Sequence, residues 1–209
     1  MKTIFIPAKL NSEVNARKIE SLKLPESTAI AYSIQYKDIA KQIYDILSKK
    51  YKITEIAQVL GCSKQKFSKN TKAILLISSG EFHAVSLAFE TKLPIYILEA
   101  DKLRKISDED IYAFEKQKIA SYMKFLNSEK VGILVSTKPG QENLKKAIAI
   151  ENKLKGKRAY LFLSNEVDTR QFENFDIEAW INTSCPRMDF EGFVFNMGDL
   201  NSRQSKDAF

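Results

Sequence analysis

The feature that most constrains this chain is an alternation: eight apolar runs of five or six residues, rich in β-branched and aromatic side chains, recur between longer amphipathic stretches. The runs cover residues 3–7, 29–34, 53–58, 73–78, 95–99, 132–137, 159–163 and 178–182. Runs of this length suit buried strands, and strands alternating with helical patterns build a parallel sheet covered by helices. Between them, residues 37–49 place Ile39, Ile43, Ile46 and Leu47 on one helical face with Lys and Asp on the other, and residues 82–91 and 141–154 read the same way. The longest helical pattern, residues 107–130, opens on Ser107-Asp108-Glu109-Asp110, an N-cap with an acidic first turn. This helix is expected to bridge two lobes. The expected fold is α/β, with two similar lobes, each a parallel β-sheet flanked by helices: residues 1–106 with five strands and residues 107–209 with three.

Such cores need apolar material, and the chain has it: 44% hydrophobic residues, 13 Phe among them, against 28% charged, which excludes a disordered chain. The net charge of +7 suits an acidic or nucleic-acid-bound partner, or simply solubility. The lysines are scattered, with mild clusters at Lys49, Lys50 and Lys52 and at Lys64, Lys66, Lys69 and Lys72, and no aromatic-interleaved motif accompanies them. Direct nucleic-acid binding is therefore not expected. The opening Met1-Lys2-Thr3-Ile4-Phe5-Ile6-Pro7 is too short for a signal-peptide core, and no later segment could span a bilayer. The expected location is cytoplasmic, away from membranes. There the two cysteines, Cys62 and Cys185, stay reduced, and a structural disulfide is not expected.

In open α/β sheets, ligands collect beyond the carboxyl ends of the strands. Four loops hold such positions: residues 59–63, 78–83, 136–141 and 182–187. Both cysteines and the single histidine, His83, fall on them. Each has an ordinary explanation as well. A lone Cys is more often a small buried hydrophobe than a ligand. Cys185 is followed by Pro186 and Arg187, which turn the backbone and place a cation near its thiol. Closely spaced Cys and His pairs are missing, which disfavours zinc. His83 at a helix start is favoured as neutral imidazole, or it ties its loop together. Lys138, Gly140 and Gln141 open a helix in a way that suits an anionic group, yet an ordinary βα turn would look the same.

Taken in order, these segments resemble the archaeal diphthamide synthases, the family of 2-(3-amino-3-carboxypropyl)histidine synthases. The likeness runs from Ile4-Phe5-Ile6-Pro7-Ala8 through Leu60-Gly61-Cys62-Ser63 to Ile74-Leu75-Leu76-Ile77-Ser78-Ser79-Gly80-Glu81-Phe82-His83. It continues at Gly132-Ile133-Leu134-Val135-Ser136-Thr137-Lys138-Pro139-Gly140-Gln141 and closes on Thr183-Ser184-Cys185-Pro186-Arg187. The resemblance implies three similar α/β lobes, each giving one cysteine to a central [4Fe–4S] cluster whose fourth iron is open to S-adenosylmethionine. The reduced cluster would pass an electron to the sulfonium and break its bond to the aminocarboxypropyl carbon. That fragment would then join an imidazole carbon of a histidine in translation elongation factor 2, the first step of diphthamide biosynthesis. By the same resemblance Cys62 is the middle-lobe metal ligand and Cys185 the last-lobe ligand. His83 is the catalytic candidate, and Gly80, Phe82, His83, Lys138, Gly140, Gln141 and Arg187 are the candidates for binding the cofactor and S-adenosylmethionine.

The chain departs from the family in two places. Residues after the fifth apolar run commonly read Tyr-Asp-Pro in the family and are Leu98-Glu99-Ala100-Asp101 here. Met1 coincides with the first strand of the family's middle lobe, so the expectation is a split enzyme: a separate chain supplies the first lobe and the third cysteine. Competing readings are a quinolinate-synthase-like iron–sulfur enzyme, and a non-catalytic partner subunit that docks elongation factor 2 or supports another subunit's cluster. The blandest is a ligand-binding protein with incidental cysteines. Further dimerisation stays open, and residues 190–209 carry no readable function.

Overall fold

The computed structural model describes residues 4, 6, 8–10, 13–59, 65–79, 81–99, 102–185 and 194–197. They divide between two compact units, Met1–Glu115 and Lys116–Phe209.

The first unit is built on strands β1 (Ser27–Tyr32), β2 (Lys52–Gln58), β3 (Ala73–Ile77), β4 (Ile95–Glu99) and β5 (Lys102–Lys105). Their order is β2-β1-β3-β4-β5, parallel except for the antiparallel β4–β5 pair. Central β3 is buried along its whole length, as a strand covered on both faces must be. Its alternating side chains feed two cores. Ile74 and Leu76 pack with Ala84, Val85, Leu87 and Ala88 of helix α3 (Glu81–Thr91) and with Ile111 and Phe114 of α4 (Asp108–Asn127). Leu75 and Ile77 pack on the other side with Ile39, Ala40, Ile43 and Leu47 of α2 (Lys37–Leu47) and Ile19 of the short α1 (Ala16–Glu20). Each such Ile or Leu contributes about 1.5–3 kcal/mol by leaving water.

Helix α4 begins as its sequence implies. Asp110 N–H donates to Ser107 Oγ at 3.0 Å, and Ser107 N–H returns a bond to the Asp110 carboxylate at 3.4 Å. At its far end Lys157 Nζ donates to the carbonyls of Leu126 (2.8 Å) and Ser128 (2.6 Å), which would otherwise lack intrahelical partners.

The second unit holds β6 (Lys130–Ser136), α5 (Leu144–Glu151), β7 (Arg158–Ser164), β8 (Ala179–Asn182) and β9 (Val194–Asn196), in the all-parallel order β7-β6-β8-β9. Val131, Ile133 and Val135 face Ala147 of α5 and Phe125 of α4. Leu134 faces an aromatic group of Phe162, Phe172 and Trp180. In both units the first strand pairs with the second on one side and the third on the other, with the fourth outside the third. This repeated topology makes them similar lobes.

Three expectations need correction. The run 3–7 was expected as a strand, but its described residues Ile4 and Ile6 lie in no strand and are 83% and 85% exposed. The fifth strand of the first sheet is instead β5, Lys-Leu-Arg-Lys, an edge strand whose polar side chains hide it from hydropathy, and its pairing makes that sheet mixed. The second sheet has four strands among the described residues rather than three, because β9 forms in a tail that lacks periodicity. Among the described residues no helix is long and apolar enough to cross a membrane.

Candidate functional site

Strand order selects the loops that matter. A doubly wound sheet opens a crevice where successive crossovers run to opposite sides. In the second unit that point lies between β6 and β8, beyond whose carboxyl ends are residues 137–143 and 183–185.

The β6 loop is a built turn. Thr137 N–H donates to Ser164 O (3.0 Å) and Lys138 N–H to Ser136 Oγ (3.2 Å). Gln141 N–H then closes on Lys138 O at 3.0 Å, around Pro139 and around Gly140 at φ 79°. Pro followed by a residue of positive φ is the signature of a type II turn. Gly140 and Gln141 were expected to open a helix, but α5 starts only at Leu144, because this turn spends their backbone first. Lys138 Nζ lies 3.6 Å from Glu166 in a half-exposed pair. Asn143, just before α5, does not cap its helix with its side chain. Its Nδ2 donates to Gln141 O (3.3 Å) and across to Thr183 O (2.9 Å), tying the two loops together.

The β8 loop carries Cys185, a free, half-buried thiol. Beneath it the polar groups are buried and bonded. Thr183 sends both its N–H (3.1 Å) and its Oγ1 (2.7 Å) to Leu134 O. Asn182 Oδ1 accepts Ser184 N–H (2.9 Å) and Ser184 Oγ–H (2.6 Å), while Asn182 Nδ2 donates to Cys185 O (2.9 Å) and Asn196 Oδ1 (2.8 Å). Asn182, Thr183 and Ser184 are 2%, 1% and 9% exposed. An Asn two residues before a Ser, at a strand end, is a signal for such an Asx turn that residue-by-residue inspection of the cysteine passed over.

In the first unit the crevice lies between β1 and β3. Ser33 N–H donates to Ile77 O (3.3 Å), and the Ser33 and Ser78 hydroxyls approach to 3.4 Å. His83 is the third residue of α3, half-buried, with Nδ1 shielded from solvent. Gly80, Cys62 and Arg187 lie outside the described residues, as does the side chain of Phe82. By chain position Cys62 follows β2, whereas Cys185 follows β8, the counterpart of β3. The two cysteines therefore leave non-equivalent strands of the repeated topology.

In the second unit Glu178 and Asp176, whose titration is altered, belong to the scaffold. Glu178 accepts the N–H groups of Glu129 (2.6 Å) and Lys130 (3.3 Å), which hold its carboxyl below the usual range. The ammonium of Lys130 does the same for Asp176. Both act at the start of β6, opposite the end that carries the Lys138 turn.

The site offers a soft thiol on a preset loop, which fits one ligand of an iron–sulfur cluster. Among the described residues no three His, Cys, Asp or Glu converge as a metal site. Fold and loops define a two-lobed α/β protein with a cysteine at the crevice of its second sheet. The chain belongs to the diphthamide synthesis protein family, which it matches over residues 1–193. The 2-(3-amino-3-carboxypropyl)histidine synthase of Pyrococcus horikoshii is 32% identical over 138 residues, 65% of this chain and 40% of that protein. Subunit 1 of the synthase from Gallus gallus is 21% identical over 206 residues, 91% of this chain and 50% of that one. A crystal structure of Dph2 from Pyrococcus horikoshii with a 4Fe-4S cluster matches with a TM-score of 0.73 at 25% identity, over 88% of this chain and 58% of that one. The chain thus spans 40–50% of the length of these two curated relatives. This membership sets aside the quinolinate synthase reading.

Proposed function

We propose that this chain is a subunit of the cytoplasmic enzyme that transfers the 3-amino-3-carboxypropyl group from S-adenosylmethionine to a histidine of translation elongation factor 2. Cys185 and Cys62 would each hold one iron of a [4Fe–4S] cluster. The observation that carries the reading is Cys185 on its hydrogen-bonded loop at the switch point of β6 and β8, in a fold shared with a structure that contains such a cluster. When bound, the cluster supplies one electron to the sulfonium, breaking its bond to the aminocarboxypropyl carbon and leaving 5′-methylthioadenosine. Around it the chain's own groups bind and orient. The turn at residues 138–141 presents Lys138, Gly140 and Gln141 for the amino-acid end of S-adenosylmethionine. Gly80, Phe82 and Arg187 are further candidates for binding, and His83 is the candidate for serving the transfer.

Three thiolates would hold three irons, and the 209 residues contain two cysteines. We assign the third to a donor outside these residues. That the Gallus gallus relative is called subunit 1 agrees with a multi-chain enzyme. The test is to purify the tagged chain without oxygen from its native cells, measure iron and the [4Fe–4S] absorption, and assay label transfer from S-adenosylmethionine to elongation factor 2. Cys62→Ala and Cys185→Ala should each lower iron and abolish transfer. Full iron and transfer in both variants would refute the cluster reading, and full activity of these 209 residues alone would refute the need for an outside donor.

A further inference from the structure

We propose that Asn182 is the positioning residue for Cys185, presetting the loop that carries the thiol before any metal binds. The inference rests on the reading of Cys185 as a cluster ligand.

The Asn182 amide uses all of its hydrogen-bonding capacity at one place. Its Oδ1 takes two donors from Ser184, and its Nδ2 gives one bond to Cys185 O and one to Asn196 Oδ1. The amide orientation is not open to a flip, because Ser184 N–H can only donate and Cys185 C=O can only accept. The residue itself is anchored, being the last of β8 and paired with Leu134 on one side and Asn196 on the other. With Thr183 bonded twice to Leu134 O, each of the three residues before Cys185 is fixed by its own side chain. All three are buried, while Cys185 is partly open. A buried polar shell beneath an accessible soft donor is how proteins hold a ligand at a metal's required geometry, and such supporting groups affect metal retention nearly as the ligand does.

The plain alternative is that Asn182 merely ties β8 to β9 through Asn196. The two roles separate in substitution. Asn196→Ala cuts only the tie to β9, whereas Asn182→Ala also frees the backbone of residues 184 and 185.

The experiment reads the metal-free full chain first. Peptide-resolved alkylation by iodoacetamide is followed at Cys185, with Cys62 as internal reference and the melting temperature as a control on folding. Asn182→Ala should speed Cys185 alkylation several-fold without changing Cys62, and Asn196→Ala should leave Cys185 near the wild-type rate. Wild-type reactivity in Asn182→Ala, or equal acceleration in both variants, overturns the proposal. Should Asn182→Ala fail to fold, Asn182→Asp keeps the side-chain volume and the bonds from Ser184 but turns an acceptor oxygen toward Cys185 O and Asn196 Oδ1 in place of both Nδ2 donations. Purified anaerobically from native cells, it should retain several-fold less iron per chain than wild type, and equal iron overturns the proposal. Faster Cys185 alkylation in Asn182→Ala, together with a wild-type chain that carries no iron from native cells, would refute the cluster reading alone and leave the positioning role standing.

Discussion

Gly132→Ala should strongly destabilise the second unit. Gly132 sits in the middle of β6, paired with Tyr160 and Trp180 on either side. A Cβ there would stand 2.3 Å from Cε3 and Cζ3 of Trp180 and 3.0 Å from its Cη2. The indole would have to retreat by about 1 Å to reach ordinary contact. The Phe162 ring, edge-on at 4.8 Å, and the Phe172 ring at 5.7 Å restrict that retreat. Overpacking costs typically 1–3 kcal/mol, and a rigid ring against a strand backbone puts this case at about 2–3 kcal/mol. For a unit of under 100 residues that lowers the melting temperature by roughly 10–20 °C. Trp180 is the single tryptophan, so its fluorescence reports the melting of this unit directly. In a Trp180→Leu background, followed by circular dichroism, adding Gly132→Ala should cost less than about 0.5 kcal/mol, since the colliding atoms are gone. A Gly132→Ala protein melting within about 2 °C of wild type, or one equally damaged in both backgrounds, would refute the reasoning.

Three further outcomes are expected. Gly140→Ala places a side chain at φ 79° and should cost about 1–2 kcal/mol in urea unfolding, while leaving the first unit's transition unmoved. Asn143→Ala removes the bond to Thr183 O, and should cost about 1 kcal/mol and speed amide exchange in residues 137–143 and 183–185. Glu178 has its carboxyl pKa lowered by two backbone N–H donors, so its contribution is complete above the ordinary Glu range and is lost as pH falls through its lowered value. The melting temperatures of Glu178→Gln and wild type should therefore differ at neutral pH and converge as the pH falls through the lowered carboxyl range.

The strands most readable in the sequence are the ones buried on both faces. β3 and β6 are nearly uninterrupted Ile, Leu and Val, and no solvent-facing residue dilutes the signal. β5 and β9 were missed because an edge strand is held by backbone pairing to its neighbour rather than by its own hydropathy. The start of α4 was legible from Ser107 and Asp110, since a capping box is a local contact between residues three apart. The start of α5 was not, because Pro139 and Gly140 form a turn whose closing bond competes with the first helical one. For the site, residue type pointed to Cys185, but strand order had to single out the loops after β6 and β8. That order depends on contacts between residues far apart in the chain, such as Thr183 with Leu134 and Asn143 with Thr183.

The crevice loop of the second unit is held by bonds from Asn182, Thr183 and Ser184 that run from 2.6 to 3.1 Å and are shielded from water. A fully satisfied buried network holds one conformation, because breaking any member leaves an unpaired polar group in a low dielectric. A thiol on such a loop loses little freedom when it meets a metal, so its binding energy goes into retention rather than ordering. On the proposed reading Cys185 would be a ligand that the fold itself presets, and Cys185→Ala should lower iron per chain.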